Sequence, residues 1–504
     1  MSNYGLNLLE LLNNHISDYK ISNIFINKIV LDSRQIKGKN CLFIAIKGCK
    51  LDGKIFIDDA IKNGAVAIIT YSDNNTSPYN IIFKNNIPII FLSNLQKKIS
   101  FFAGKLYNHP SYKIPVIGVT GTNGKTSITN FLMQWINLLG KKAAICSTLG
   151  NGFYNNLITT NNTTDSAIDI QYTLKNFLEK KADIVIIEIS SHGLKQFRVA
   201  NLKFEVGIFT NLTRDHLDYH LNMKNYELTK WKFFSEHKII KNIININDII
   251  GYNWFKKLSY NNKNVIAVTT KKYFFIKNNL YFKVTKINFL KDNTIIEFNS
   301  SWGKGTIKTF LIGYFNVINI ILSMTTLLNL NFSLKELINT SHKIHSVHGR
   351  MEIFPSKKKY PKIIIDYAHT PHALKNALLT IKLYCKGKIW CIFGCGGERD
   401  IGKRSIMGII AKNFSDVVII TTDNPRSENI IDIINDIIEK YKNKNNLHII
   451  TNRFKAIHYA INNANKNDTI LIAGKGHEQY QIIGNKIFNY SDYNVVNNIF
   501  KKNI

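Results

Sequence analysis

An apolar strand that stops at a glycine-rich loop and passes at once into an amphipathic helix constrains this chain more than any other stretch of it. The strand runs through Ile114-Pro-Val-Ile-Gly-Val-Thr120, the loop is Gly121-Thr122-Asn123-Gly124, and Lys125, Thr126 and Ser127 follow. Ile128, Phe131, Leu132, Trp135, Leu138 and Leu139 then recur at helical spacing up to Gly140, which predicts a helix. Loop N–H groups and the helix N-terminus together present positive partial charge, so the segment is built to grip nucleotide phosphates. Lys125 adds a full charge there, and the Thr126 hydroxyl suits a Mg2+ ion. The usual G-x-x-x-x-G-K-[ST] spelling is altered. Its first glycine position holds Val119, and Gly121 carries the turn instead.

A chain of 504 residues exceeds what one hydrophobic core supports, and roughly two to four domains are expected. The formal charge of +32 would suit a nucleic-acid partner, but the lysines are scattered among Asn and Ile, with no arginine-rich arm or compact basic tract. No nucleic acid is therefore expected as a partner, although the same field would draw in polyanionic small substrates. The six cysteines include no C-x-x-C pair, which fits reduced thiols in a cytoplasm. No run reaches the ~18 uninterrupted apolar residues of a membrane span, and the start lacks a basic segment followed by a long apolar one. A soluble, cytoplasmic monomer with no membrane partner is the expectation.

The rhythm of the chain changes twice. Residues 1–112 alternate short apolar runs, at 41–46 and 65–69, with a helical stretch ending at Gly64, and read as a small α/β domain. Pro110 and Pro115 bracket a polar link to the next domain. Residues 113–346 hold the phosphate loop and two strands, 184–187 and 206–209, that run into Glu188-Ile-Ser-Ser-His192 and Asn211-Leu-Thr-Arg-Asp-His216. Between about 264 and 310 the pattern turns to β-rich alternation, an antiparallel excursion of the same domain. Residues 347–504 carry four apolar runs, each ending in loop chemistry. Residues 363–365 lead into Asp366-Tyr-Ala-His369, and 389–393 into Gly394-Cys-Gly-Gly397. Residues 417–420 lead towards Asp423-Asn-Pro-Arg426, and 470–473 into Gly474-Lys-Gly-His-Glu478. Ligands collect at the carboxyl ends of strands in an open parallel sheet, so these four loops are expected along one site edge.

Taken together, these stretches resemble the three-domain Mur ligases of peptidoglycan synthesis, from Leu31-Asp-Ser-Arg34 to Tyr490-Ser-Asp492. The resemblance is carried further by Tyr226-Glu-Leu-Thr-Lys230-Trp231, Gly313-Tyr-Phe-Asn316-Val-Ile-Asn319 and His348-Gly-Arg350. It implies an α/β fold of three domains. They are a small α/β UDP-binding domain (1–112), a central P-loop ATPase-type domain with the antiparallel excursion (113–346), and a C-terminal Rossmann-like domain that brings an amino acid (347–504). It also implies an ATP-dependent amide ligase that adds meso-2,6-diaminopimelate to the D-glutamate of UDP-N-acetylmuramoyl-L-alanyl-D-glutamate. Joining a carboxylate to an amine in water is uphill, so the carboxylate must first become an acyl phosphate. That asks for charge neutralisation around an in-line γ-phosphoryl group more than for covalent help.

The resemblance assigns residues to each role. ATP falls to Gly121, Thr122, Asn123, Gly124, Lys125, Thr126 and Ser127, with Asn319, Arg350 on phosphate and Asp366 on a ribose hydroxyl. Two Mg2+ ions are implied, held by Thr126, Glu188, His216 and Lys230, the lysine having reacted with CO2 to become a carbamate (N6-carboxylysine). Its amine, ordinarily with a pKa of about 10.4, must be held neutral by burial or neighbouring cations before it can attack CO2. Lys125, Lys230, His216 and Glu188 are the implied catalytic residues. The UDP-substrate is implied at Leu31 and Ser33, with Cys49-Lys50-Leu51 nearby, and at Asn162, Thr163, Thr164, Ser190, Gln196 and Arg198. A Ser-His hydrolase reading of Ser190-Ser191-His192 fails, because no G-x-S-x-G elbow precedes the serine.

Diaminopimelate is implied at Arg399, Asp423, Asn424, Pro425, Arg426, Gly474 and Glu478. In isolation Asp423-Asn-Pro-Arg426 would be a good type I turn. Diaminopimelate carries a second amino-acid head, however, whose carboxylate a planar Arg426 can clamp bidentately while Glu478 takes the ammonium. Asp165, His372 and Ser405 depart from the family pattern.

Overall fold

A computed structural model describes residues 5–12, 21, 23–48, 51–73, 77, 79–160, 162–261, 264–271, 279–291, 293–354, 360–441 and 445–502. The chain divides into two compact units. One comprises Met1–Gly118, Lys141–Gly207 and Lys232–Ile240, and the other Val119–Gly140, Ile208–Trp231 and Lys241–Ile504.

The first unit opens with a five-stranded sheet ordered Lys28–Val30, Cys41–Ala45, Ala65–Tyr71, Ile87–Leu92, Ile81–Lys84. Its first four strands are parallel and the last is antiparallel. Strand Cys41–Ala45 is buried along its whole length, which is why it reads as an unbroken apolar run and not as an alternation. Helix Leu95–Leu106 sets Leu95, Ile99, Phe102, Ala103 and Leu106 against one face, with Leu42, Ile44, Ile69 and Ile90. The other face gathers Phe43, Ala45, Ile68 and Ile89 with Ala60 of helix Ile57–Lys62. In the same unit Ala143–Ser147 and Ile184–Glu188 run parallel, and Gly150–Phe153 with Asn156–Ile158 continue antiparallel from the former.

In the second unit, helix Lys125–Leu138 follows the phosphate loop and packs against the almost wholly buried helix Tyr314–Asn329. Strand Val265–Thr269 pairs in parallel with Leu280–Phe289. Leu280–Phe289, Thr294–Ser300 and Gly303–Thr309 then form an antiparallel meander. Burial alternates strictly along Thr294–Ser300, so the period-two pattern seen in the sequence is a sheet with one covered face.

The C-terminal sheet runs Glu352–Phe354, Lys362–Asp366, Thr469–Ala473, Ile389–Phe393, Val417–Ile420, Leu447–Ile449. Only the edge strand Glu352–Phe354 is antiparallel. Helices Pro371–Lys382, Arg404–Phe414 and Ile430–Ile438 cover one face and Arg453–Asn463 and Asp492–Lys502 the other, each layer closing its own apolar core. This is a doubly wound, Rossmann-like layer order. The four runs with loop chemistry are neighbours in it, and their carboxyl ends share one edge. A fully buried ion pair locks that edge from below. Arg453 Nε and Nη2 donate to Asp492 at 2.8 and 2.7 Å, and Nη2 also reaches Ala473 O at 3.0 Å, immediately before Gly474.

No helix among the described residues is long and apolar enough to cross a membrane. Cys41, Cys146, Cys385, Cys391 and Cys395 are free thiols.

Candidate active site

Strand Val116–Thr120 is buried throughout and delivers the chain to Gly121. Gly121 has φ +145, and a Cβ there would lie 1.9 Å from Thr210 Oγ1. The turn therefore needs glycine. The loop is pinned by the segment after strand Lys203–Phe209: Thr122 N donates to Asn211 O at 2.8 Å and Asn123 N to Asn211 Oδ1 at 3.0 Å. Thr210 Oγ1 and Asn211 Nδ2 both donate to Asn123 O, at 2.6 and 3.0 Å. Gly124, at φ +91, faces buried Asn319, whose Oδ1 would be 2.6 Å from an added Cβ. Helix Lys125–Leu138 begins one residue later, so Lys125, Thr126 and Ser127 occupy the first turn, where N–H groups have no helical acceptor.

Two lysines meet on this loop. Lys125 Nζ donates to Gly121 O at 2.9 Å and Thr122 O at 2.8 Å, while Lys230 Nζ, on helix Met223–Glu236, donates to the same Gly121 O at 2.8 Å. Lys230 is 1% exposed. Burial, reinforced by the Lys125 charge and opposed by Asp215, holds the Lys230 amine well below the usual lysine range. The neutral form is thus favoured. The ring of Tyr226 lies against Lys230, with Nζ 5.0 Å from its centroid, and the Tyr226 hydroxyl is 3.2 Å from Thr122 Oγ1.

Asp215, which the sequence reading passed over, is the buried anion of this region. His216 Nε2, His369 Nε2 and Lys403 Nζ lie 3.4, 3.5 and 3.9 Å from its oxygens. Burial alone would push its carboxyl up, yet His216, a hydrogen bond from His369 and the Lys403 charge hold it well below the usual carboxylate range. His216 itself sits at φ +54, a left-handed conformation rare for a residue with a Cβ.

Arg350 Nη2 donates to Thr126 Oγ1 at 3.2 Å, and the guanidinium carbon stands 4.2 Å from the Tyr367 ring centroid. Asp366 ends strand Lys362–Asp366 and accepts from Met351 N at 2.7 Å. Burial pushes its carboxyl up, against the pull of Arg350 and the N–H groups of Met351 and Ala368.

Along the edge of the C-terminal sheet, Asn424 is the hub. Its Nδ2 donates to Glu478 Oε2 at 3.0 Å, and its Oδ1 accepts from Lys475 Nζ at 3.1 Å and Ile482 N at 3.0 Å. Lys475, fully buried, also donates to Glu478 Oε2 at 2.8 Å. Glu478 Oε1 keeps only a long contact, 3.4 Å, from Tyr367 OH. Arg426 lies at φ +54, with Nη1 on Gly397 O at 2.6 Å. Gly396 is close to both arginines of the expected receptor: a Cβ there would be 3.2 Å from Arg426 Nη1 and 3.6 Å from Arg399 Cγ. Gly474, at φ +113, leaves room for Asp423 Oδ2, which would be 2.7 Å from a Cβ. The structure thus brings Arg399, Asp423, Asn424, Pro425, Arg426, Gly474 and Glu478 to one sheet edge. It adds Lys475 and Tyr367, to which the sequence reading assigned no role.

In the first unit, Glu188 is fully buried at the end of its strand. Thr148 N donates to Oε1 at 3.1 Å, and the Thr148 hydroxyl is 3.1 Å from both Oε2 and Thr163 Oγ1. Thr164 Oγ1 donates to Glu188 O at 2.7 Å and accepts from Ser190 N at 3.0 Å. Ser190 Oγ caps the short helix Ser191–Lys195 through Gly193 N, at 3.0 Å. Arg198 donates to Thr164 O and to Gln196 Oε1. Thr163, Thr164, Ser190, Gln196, Arg198 and Glu188 therefore form one connected polar cluster, while Asn162 stays exposed at its rim. Ser33 is buried in the turn Ser33–Gln35 after Leu31, with Asn63 Nδ2 on its carbonyl at 3.0 Å. Cys49 and Lys50 lie outside the described residues.

The three departures are accommodated locally. Asp165 accepts from Asn151 Nδ2 at 2.7 Å, and burial pushes its carboxyl up. His372 is the second residue of helix Pro371–Lys382 and lies 3.3 Å from Asn376 Nδ2. Ser405 is the second residue of helix Arg404–Phe414.

Among the described residues no three His, Cys, Asp or Glu side chains gather as a metal cage. The donor chemistry for Mg2+ is present in another form. Thr126 offers a hydroxyl and His216 an imidazole, and the Lys230 amine, shifted towards its neutral form, is of the kind that CO2 converts into an oxygen-bearing anion, the donor that hard cation prefers.

Three family models match the chain in order: Mur ligase family, catalytic domain, over residues 25–94; Mur ligase middle domain over 119–327; and Mur ligase, glutamate ligase domain, over 349–476. A UDP-N-acetylmuramoyl-L-alanyl-D-glutamate–2,6-diaminopimelate ligase of Buchnera aphidicola subsp. Schizaphis graminum is 51% identical over 483 residues, covering 95% of this chain and 96% of that one. The protein of the same name from Blochmanniella floridana is 46% identical, covering 98% and 99%. A solved structure of a ligase with that name superimposes with a TM-score of 0.69 at 27% identity, covering 99% of both chains.

Proposed function

The chain belongs to the Mur ligase family, and from that membership we propose that it joins the γ-carboxylate of D-glutamate in UDP-N-acetylmuramoyl-L-alanyl-D-glutamate to an amine of meso-2,6-diaminopimelate, at the expense of ATP. The observation that carries the reading is Lys230. A nucleotide-binding loop needs one phosphate-gripping lysine, and here a second one is buried against the same carbonyl with its amine shifted well below the usual lysine range, towards the neutral form. That is the state required for its nitrogen to attack the carbon of CO2, with a proton leaving the nitrogen and a carbamate remaining.

In this account Lys125 and the loop N–H groups take the phosphates, with Arg350 beside Thr126 adding charge and Asp366 and Asn319 completing the nucleotide contacts. Thr126, Glu188, His216 and carbamylated Lys230 would hold Mg2+, which would supply charge neutralisation on the phosphate oxygens. A carboxylate oxygen of the substrate attacks the γ-phosphorus and ADP leaves. The neutral amine nitrogen then attacks the acyl carbon, inorganic phosphate departs with the electron pair of the broken C–O bond, the nitrogen releases a proton, and the amide is formed. Leu31, Ser33 and the polar cluster of Thr163, Thr164, Ser190, Gln196 and Arg198, with Asn162, take the UDP-substrate. Arg399, Asp423, Asn424, Pro425, Arg426, Gly474 and Glu478 take diaminopimelate. Lys475 already engages one oxygen of Glu478, which leaves the other for the distal ammonium.

We divide the chain into a UDP-binding domain (1–112), a central ATP-binding domain (113–346) that also carries the substrate residues 162–198, and an amino-acid-binding domain (347–504) that also lends Arg350 and Asp366 to the nucleotide, in a cytoplasmic monomer with no nucleic-acid partner. The test is ADP release by the purified chain with the UDP-dipeptide, ATP and a panel of diamines. Release driven by meso-diaminopimelate and not by lysine supports the reading, and release indifferent to the amine removes it.

A further inference from the structure

The segment that carries His216 is fastened to the loop that carries Arg399 by three ion pairs that alternate in sense. Arg214 Nε and Nη2 each meet one oxygen of Asp400, both at 2.8 Å. Arg399 Nη1 lies 3.7 Å from Asp218 Oδ2, and Lys403 Nζ lies 3.9 Å from Asp215 Oδ1. Only the first has the two parallel bonds of a fork on a carboxylate, which fix orientation as well as distance. The fit is built in. Asp400 is 6% exposed in its side chain, and a Cβ on Gly402 would stand 2.2 Å from Arg214 Nη2.

We propose that Arg214 and Asp400 are positioning residues that register the amino-acid loop against the His216 segment. Arg399 can then exchange its loose contact with Asp218 for the carboxylate of the incoming amino acid without the loop moving away. Neither residue touches a reacting atom. Arg214 acts through Asp400 on Arg399: Arg214 directly precedes Asp215, the buried anion, and Asp400 directly follows Arg399, a cation of the receptor. An exposed ion pair by itself contributes little, but a fork that excludes a side chain at Gly402 sets where Arg399 can be. Misplacement of about an ångström at such a distance is costly for the reaction.

The inference rests on the ligase reading, and the experiment separates the two. Wild-type chain is assayed first, and amine-dependent ADP release establishes the reading by itself. Arg214→Gln, Asp400→Asn and the double variant are then compared in full-length protein, with Arg214→Lys as the variant that keeps the charge and loses the fork. The expectation is a KM for diaminopimelate raised about tenfold in each single variant, with the KM for ATP within about twofold. The double variant should be no worse than either single one, and Arg214→Lys should fall between wild type and Arg214→Gln. Equal shifts in both KM values, no shift in either, or additive losses would overturn the assignment. If Asp400→Asn does not yield folded protein, the split in KM between Arg214→Gln and Arg214→Lys decides it alone.

Discussion

Lys230 and Lys125 donate to one and the same oxygen, the carbonyl of Gly121, at 2.8 and 2.9 Å. Two ammonium groups cannot share one acceptor cheaply in a buried place, and burial together with the Lys125 charge shifts the enclosed Lys230 towards its neutral form. We propose that a residue that would pass for a solvated helical lysine is thereby made a nucleophile for CO2, beside the loop where triphosphate charge must be neutralised.

Lys230→Ala should lower turnover by roughly two orders of magnitude or more, because a metal-holding anion is lost. In protein equilibrated with 13C-bicarbonate, wild type should show a carbamate carbon resonance that the variant lacks. Normal turnover in the variant contradicts the carbamate.

Lys230 also makes a prediction about stability. Its folded pKa lies below the unfolded value, so between the two the unfolded chain binds the extra proton and stability rises with pH. Below that window the amine is a burden on the fold. Lys230→Met should therefore raise the unfolding midpoint at pH 7 by roughly 1–3 °C, since Lys125 still serves Gly121 O. The gain should shrink as pH approaches about 10. A lower midpoint at pH 7, followed by calorimetry, contradicts the account.

Arg426→Ala should raise the KM for diaminopimelate by roughly 10- to 100-fold and leave that for ATP nearly unchanged, as expected when a charge-assisted contact to one substrate is removed. Arg426 occupies a left-handed backbone position, so Arg426→Lys, with the same backbone cost and a point charge in place of the fork, is the matching control. Equal effects on both substrates would remove Arg426 from the receptor.

Breaking the Arg453–Asp492 pair should cost about 3–5 kcal/mol, because Arg453→Met leaves a buried carboxylate without its partner. Arg453 also braces Ala473 O, just before Gly474. Denaturant unfolding of the variant checks the magnitude, and a change within about 0.5 kcal/mol would show the pair to be dispensable.

Local patterns were legible and distant pairings were not. The helical spacing from Ile128 to Leu139 announced helix Lys125–Leu138, and the four apolar runs after residue 362 announced neighbouring parallel strands. Both are periodicities written within a few residues. Asp215 carried no such mark. Its worth comes from His369 and Lys403, brought to it by the fold across more than 150 positions of sequence. Arg214 and Asp400 are likewise ordinary residues until they face each other, 186 positions apart. Lys475 stood in plain view inside Gly474-Lys-Gly-His-Glu478, but only the closed sheet edge shows it holding Glu478 and Asn424.

The most direct test of the whole account is the release of ADP by the purified chain supplied with ATP, Mg2+ and the UDP-dipeptide, measured with and without meso-diaminopimelate. Release that rises steeply on adding the diamino acid, with one amide formed per ADP, is the predicted result. Release at the same rate in its absence, or ADP formed without amide, would contradict it.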